Sequence, residues 1–136
     1  MIYHGYMQDE LELFREYAEK TLHAPCDRDG ILCMAKDPEK EKIWIDVVYA
    51  VVPFMLFAGL TLKEDKYIEF AAQQCIKMYR IFLDPEYGVL HQSRGFCEDK
   101  ETFSEDHWSR GNGWGYLGMA DLLEFMPKSC KYYDEF

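Results

Sequence analysis

The chain has 136 residues, of which 49% are hydrophobic and 16% aromatic, and its formal net charge is −10. That is the length of one domain, 1–136, with enough apolar material for a packed core and too much for a disordered chain. The acidic surplus argues against nucleic acid and against an anionic membrane, both of which call for a basic surface.

From the N-terminus, Asp9 to His23 places Leu11, Phe14, Tyr17, Ala18 and Leu22 on one face, with Glu and Lys opposite. This predicts an amphipathic helix packed on one side. Pro25 to Lys42 holds Gly30, Pro38 and a charge cluster around the short apolar run Ile31 to Ala35, which reads as a loop with a short extended piece. Ile43 to Leu60 is apolar on nearly every face, so a helix buried all round in an inner layer is expected, kinked or divided at Pro53. Thr61-Leu62-Lys63-Glu64 has the form of a capping box. It leads into a helix over Glu64 to Leu83 with Tyr67, Ile68, Ala71, Ala72, Cys75, Tyr79 and Phe82 inward, ended by Asp84-Pro85. Glu86 to Gly111 is a long irregular segment, of a length that in compact chains is usually functional or mobile. Gly113 to Met126 predicts a last helix with Leu117, Ala120 and Leu123 aligned, closed by Pro127. Amphipathic and wholly apolar helices thus alternate, as in a double ring, and four helices make only an arc of one.

Five cysteines without C-x-x-C spacing cannot all pair, which favours a reduced compartment with thiols in the core. No signal peptide opens the chain, and the apolar run Val47 to Leu62 is shorter than the roughly 20 residues of a membrane span. A cytoplasmic protein is the expectation. No His/Cys/Asp group has zinc spacing along the sequence, and no glycine-rich loop has the phosphate-binding form.

Two stretches carry chemistry. In Trp44-Ile45-Asp46-Val47-Val48-Tyr49 a carboxylate stands at the mouth of an apolar helix. Without a partner, burial would raise its pKa from about 3.9 toward neutrality and let it both give and take a proton. The alternative is that Asp46 caps the helix through backbone N–H groups. In Trp108-Ser109-Arg110-Gly111-Asn112-Gly113-Trp114, Arg110 offers a fork suited to a carboxylate, two indoles offer stacking faces, and the glycines permit unusual backbone angles. The alternative there is a turn with core tryptophans and Arg110 paired to Glu105 or Asp106. His91, in Tyr87-Gly88-Val89-Leu90-His91-Gln92, reads from sequence alone as a structural hydrogen-bonding residue. Glu98 to Glu101 reads as a solvated loop.

Trp44, Asp46, Tyr49, Pro53 and Phe54 together resemble the inner-helix motif of glycoside hydrolase families 88 and 105. Tyr87-Gly88 with His91 is similar to their Tyr/Phe-His segment, and Trp108 to Trp114 to their W-x-R-G-N-G-W, with Asp29-Gly30-Ile31 agreeing upstream. The likeness runs from Asp29 to Phe125, and the last motif is the most specific. It implies an all-α fold, a partial (α/α)6 barrel with truncation expected at both ends, and no metal or other cofactor. It further implies an unsaturated glucuronyl or rhamnogalacturonyl hydrolase acting on unsaturated uronic-acid oligosaccharides. Asp46 would be the general acid/base, Arg110 and His91 would hold the uronate, and Trp44, Trp108 and Trp114 would line the sugar site. Two departures stand out. The family's second aspartate lies on an earlier inner helix that does not precede Asp9 here. Gln92-Ser93-Arg94 follows His91 in place of a small residue, an aromatic and an aspartate, so Arg94 adds charge for a variant substrate. The other readings are a non-catalytic sugar-binding remnant and a helical-toroid epimerase. Apolar flanks left exposed on either inner helix would drive self-association.

Overall fold

A computed structural model of the chain describes residues 3–5, 10–97 and 99–136. Four helices form its body: α1 (Leu11–Leu22), α2 (Asp46–Leu62), α3 (Asp65–Phe82) and α4 (Ser109–Phe125). Four two-residue strands lie between them. They are β1 (Ile43–Trp44), β2 (Leu83–Asp84), β3 (Val89–Leu90) and β4 (Ser93–Arg94), and they pair antiparallel as β1 with β4 and β2 with β3.

The expected helix over Ile43 to Leu60 starts three residues later. Ile43 and Trp44 pair with Arg94 and Ser93 instead, so the first two apolar residues belong to a strand. Within α2 the buried residues Val48, Val52, Met55, Leu56 and Gly59 recur at helical spacing. Each large apolar side chain buried there contributes about 1.5–3 kcal/mol. The helix is not buried all round, because Tyr49 and Ala50 face outward near its start. Pro53 does not end it. The ring removes one ladder hydrogen bond, yet the helix runs on to Leu62, carried by the packing of its core stripe.

Lys63 in the left-handed region closes α2, with its N–H and that of Glu64 both donating to the Gly59 carbonyl. This overturns the expected capping box: Thr61 lies inside α2, Glu64 is the residue before α3, and no side chain caps that helix. The rest of α3 follows the sequence closely. Tyr67, Ile68, Ala71, Ala72, Cys75 and Phe82 are buried, joined by Gln74 and Met78, while Tyr79 is half-buried. Gln74 is satisfied by the loop before it in the chain, accepting from Leu32 N–H at 2.9 Å and donating to the Gly30 carbonyl at 2.9 Å. On α1 only Ala18 is fully buried, Phe14 and Leu22 pack in part, and Leu11 and Tyr17 are exposed; the predicted start at Asp9 lies outside the described residues.

α4 begins four residues earlier than expected, so Arg110, Gly111 and Asn112 are helical rather than loop. Its predicted inward residues Leu117, Ala120 and Leu123 are exposed, and the buried face is Gly111, Gly115, Gly118 and Leu122. The reason is space. A Cβ on Gly118 would stand 2.8 Å from the Val48 carbonyl oxygen, and one on Gly111 would stand 2.7 Å from Ile45 Cγ2. The glycine stripe lets α2 lie directly against α4. Pairing Ile45 with Gly111, Val48 with Gly118 and Phe57 with Phe125 runs forward along both helices, so α2 and α4 are parallel. α3 returns antiparallel after the short turn at Lys63.

The segment Glu86 to Gly111 is more ordered than its composition suggests. Arg94 bridges Phe103, Ser104 Oγ accepts the N–H groups of Gln92 and Ser93, and Asp99 closes a turn on Glu101 and Thr102. Glu98 lies outside the described residues. The loop before α2 holds a bridge between Cys26 and Leu32 and a single helical turn at Pro38–Lys40, close to the short extended piece expected.

Candidate functional site

Because α2 and α4 are parallel, their first turns meet at one end of the molecule. Ile45 packs on Gly111, and one turn further Tyr49 stacks on Trp114 with ring centroids 5.3 Å apart and planes 21° from parallel. Asp46 and Arg110 stand next in sequence to the touching pair Ile45 and Gly111. Asp46 is the first residue of α2, half-buried, with Ile45 in the capping position and no side-chain cap bond. It therefore does not act as the helix cap. Its carboxylate has no hydrogen-bond or ion-pair partner among the described residues.

Arg110 is not paired with Glu105 or Asp106. Its guanidinium lies over the Trp108 ring at 4.2 Å and the Trp114 ring at 5.5 Å, and the two indoles meet edge to face at 5.0 Å. Such stacking fixes the plane of the fork while leaving its N–H donors outward, ready for a carboxylate. Gly111 and Gly113 take ordinary helical angles rather than the unusual ones expected, since positive φ occurs at Gly5, Gly30, Gly88 and Gly95. Gly111 serves close packing instead. Asn112, to which the sequence assigned no role, is buried and clamps the Leu90 backbone with both ends of its amide.

Three assigned residues take their contacts outside this group. Trp44 is exposed on β1 and stacks flat on Phe96, centroids 4.9 Å apart and planes 5° from parallel. Arg94 is a correction. It is 5% exposed, its guanidinium bonds the buried Asp27 and, at 2.7 Å, Asp29, and it lies over the Phe103 ring. A cation so paired has no free fork for a ligand. Asp27 is in turn fixed by the N–H groups of Asp29 and Ile31, so the Asp29-Gly30-Ile31 motif builds the socket for Arg94.

His91 also turns elsewhere. Leu90 packs on α4 at Gly115, and alternation along the β2–β3 hairpin sends His91 to the other face, beside Asp84. There His91 Nδ1 is 2.8 Å from the Ser104 carbonyl, His107 Nε2 is 2.9 Å from Asp84 Oδ2, and the two imidazoles lie 4.9 Å apart. Burial pushes the Asp84 carboxyl up, but the Glu86 N–H, His107 and the Tyr87 N–H outweigh it and hold the group below its ordinary value. Asp84, His91 and His107 come from three segments, so no local spacing could have revealed them. The cluster adjoins the indole group through the peptide from His107 to Trp108.

Parallel helices side by side, with an amphipathic helix returning between them, define an arc of an (α/α) helical toroid. The chain matches the family model described as Glycosyl Hydrolase Family 88 over residues 3–136, and it belongs to that family. Its fold is similar to a Clostridium acetobutylicum glycoside hydrolase from family 105, with a TM-score of 0.76, 19% identity, and coverage of 89% of this chain and 35% of that one. A possible family 105 member from Salmonella enterica serovar Paratyphi A gives a TM-score of 0.79 at 20% identity, covering 98% of this chain and 36% of that one. A protein described as a polysaccharide lyase gives 0.68 at 24% identity, covering 96% and 34%. The chain thus spans about a third of the length of the solved structures it matches, and the expected partial (α/α)6 architecture is what it shows. Among the described residues no helix is long and apolar enough to cross a membrane.

Proposed function

We propose that the chain carries part of the active site of a hydrolase that removes a 4,5-unsaturated uronic acid from oligosaccharides by hydrating its double bond. The observation that supports this most is a carboxylate and a guanidinium, Asp46 and Arg110, both without an ionic partner among the described residues and both at the joined first turns of parallel helices. In an acidic protein of 15 Lys and Arg against 25 Asp and Glu, an unpaired arginine is a selective place for an anionic sugar.

In this reading Arg110 takes the uronate carboxylate, Trp108 and Trp114 stack on the sugar faces, and Tyr49 braces Trp114. Asp46 gives its proton to C4 of the double bond and then takes one from the water that adds at C5. The hemiketal so formed opens, and the next sugar leaves from C1. A single carboxyl group serves both proton transfers, because it is ionised after the first and restored by the second. His91 and Arg94 take no part.

The test is the loss of the conjugated uronate's ultraviolet absorbance when the protein is mixed with unsaturated glucuronyl and galacturonyl oligosaccharides. Asp46→Asn should lower the rate by about 100-fold or more, as expected for removal of a general acid/base. Arg110→Ala should chiefly raise KM. No absorbance change with either substrate class removes the proposal, and sugar binding without turnover supports the non-catalytic reading in its place.

A further inference from the structure

We infer that Asp84, His91 and His107 form a binding site for a divalent transition-metal ion of the zinc class, independent of the hydrolase reading. Each offers one donor atom, and the three atoms lie within 4.8 Å of one another. The set of two imidazoles and one carboxylate suits Zn2+ and its neighbours better than Mg2+ or Ca2+, which prefer all-oxygen surroundings.

The cluster is oriented as ligands are. The Ser104 carbonyl can only accept, so the Nδ1 of His91 beside it carries a hydrogen. In the neutral ring that leaves the lone pair on Nε2, which faces Asp84 Oδ2 at 3.7 Å, too long for a hydrogen bond. A cation would fill the gap between His91 Nε2 and Asp84 Oδ2, and would take the place of the proton by which His107 Nε2 meets the same oxygen at 2.9 Å. Asp84 is held in the same way, since its other oxygen accepts the N–H groups of Glu86 and Tyr87 and leaves Oδ2 toward the histidines. Backbone partners of this kind fix ligand geometry in metal sites. All three residues are half-buried, with Phe103 against His91 and Tyr87 against His107 limiting the water that competes for the donors.

Such an ion would join the β2–β3 hairpin to the residue preceding Trp108, where α4 begins.

The experiment titrates chelator-stripped protein with Co2+, followed by visible absorbance, and then displaces the ion with Zn2+. Saturation at one equivalent is expected, with Asp84→Asn and His107→Ala each weakening binding by at least about tenfold while helical circular dichroism is kept. Absence of a Co2+ spectrum, or affinity unchanged in both variants, overturns the site. Should either variant fail to fold, X-ray absorption of the zinc-loaded native protein decides. Imidazole nitrogens at about 2.0–2.1 Å support the site, and a shell without imidazole refutes it. Neither result bears on the absorbance assay with unsaturated uronides, so the two proposals fail separately.

Discussion

Asn112 and Leu90 are joined by a two-way backbone clamp: the Leu90 N–H donates to Asn112 Oδ1 at 2.7 Å, and Asn112 Nδ2 donates to the Leu90 carbonyl at 2.9 Å. A side-chain amide on α4 thus stands in for the strand that β3 lacks on that edge. It holds the hairpin against the helix whose first turn carries Arg110. Removing it by Asn112→Ala leaves two buried backbone groups without partners, at about 1–3 kcal/mol each. A loss of about 2–4 kcal/mol in urea unfolding is expected, and Asn112→Asp, which keeps the acceptor and loses the donor, should not restore it. A change below about 0.5 kcal/mol would show that the clamp does not matter, since that is the range of ordinary surface substitutions.

Gly118 and Gly113 should respond in opposite directions to the same substitution. In Gly118→Ala the new Cβ meets Val48 Cγ1 at 2.5 Å and the Val48 carbonyl oxygen at 2.8 Å, and backbone cannot step aside cheaply. Overpacking of this kind costs about 1–3 kcal/mol, which outweighs the gain in helix propensity. At Gly113 nothing lies within 4 Å of the added carbon, so Gly113→Ala should stabilise by about 0.5–1 kcal/mol. Thermal unfolding of the two variants, compared under one condition, reads the sign directly.

Arg94→Met should cost about 3–5 kcal/mol, because it strands a buried carboxylate rather than because the ion pair itself is strong. The Asp27 side chain is fully buried and has Arg94 as its cationic partner. Adding Asp27→Asn to Arg94→Met should recover part of that loss. A double-mutant cycle in denaturant tests this, and strictly additive effects would contradict the coupling.

Cys75 should resist alkylation in the folded protein while the exposed Cys26 and Cys97 react. Burial pushes the Cys75 thiol up to about 12, so the reactive thiolate is scarce at neutral pH. The linkage sign follows from the direction of that shift. In the unfolded chain the thiol ionises at its ordinary value and in the native protein it does not, so the native state holds more protons. This contribution to stability is intact below the unfolded value and declines as pH rises from there toward about 12. Mass-spectrometric mapping of modified thiols, repeated under denaturing conditions, separates burial from intrinsic reactivity.

What the linear chain determined by itself was the run of helices and the two stretches from which the proposed site is built. Periodicity placed α3 within a residue at each end, because its apolar stripe and polar back agree with its intrinsic preference. Residue types marked Asp46, Arg110, Trp108 and Trp114 as candidates, and the family resemblance implied their roles. Tertiary packing decided the rest, since the deciding partners lie far away in sequence. Gly111 read locally as the end of a loop, yet it is helical, and with Gly115 and Gly118 it forms the buried face because only a bare backbone admits Ile45, Leu90 and Val48. Trp44 is a strand residue because Ser93 pairs with it across 49 positions, and Thr61 is no cap because α2 runs through it. His91 and Arg94 lie close in sequence, with Gln92 and Ser93 between them, and they meet Asp84 and Asp27 instead of the indoles. A motif records which side chains exist, and the direction each one faces is set by the strand pairing and helix contacts that the folded chain alone supplies.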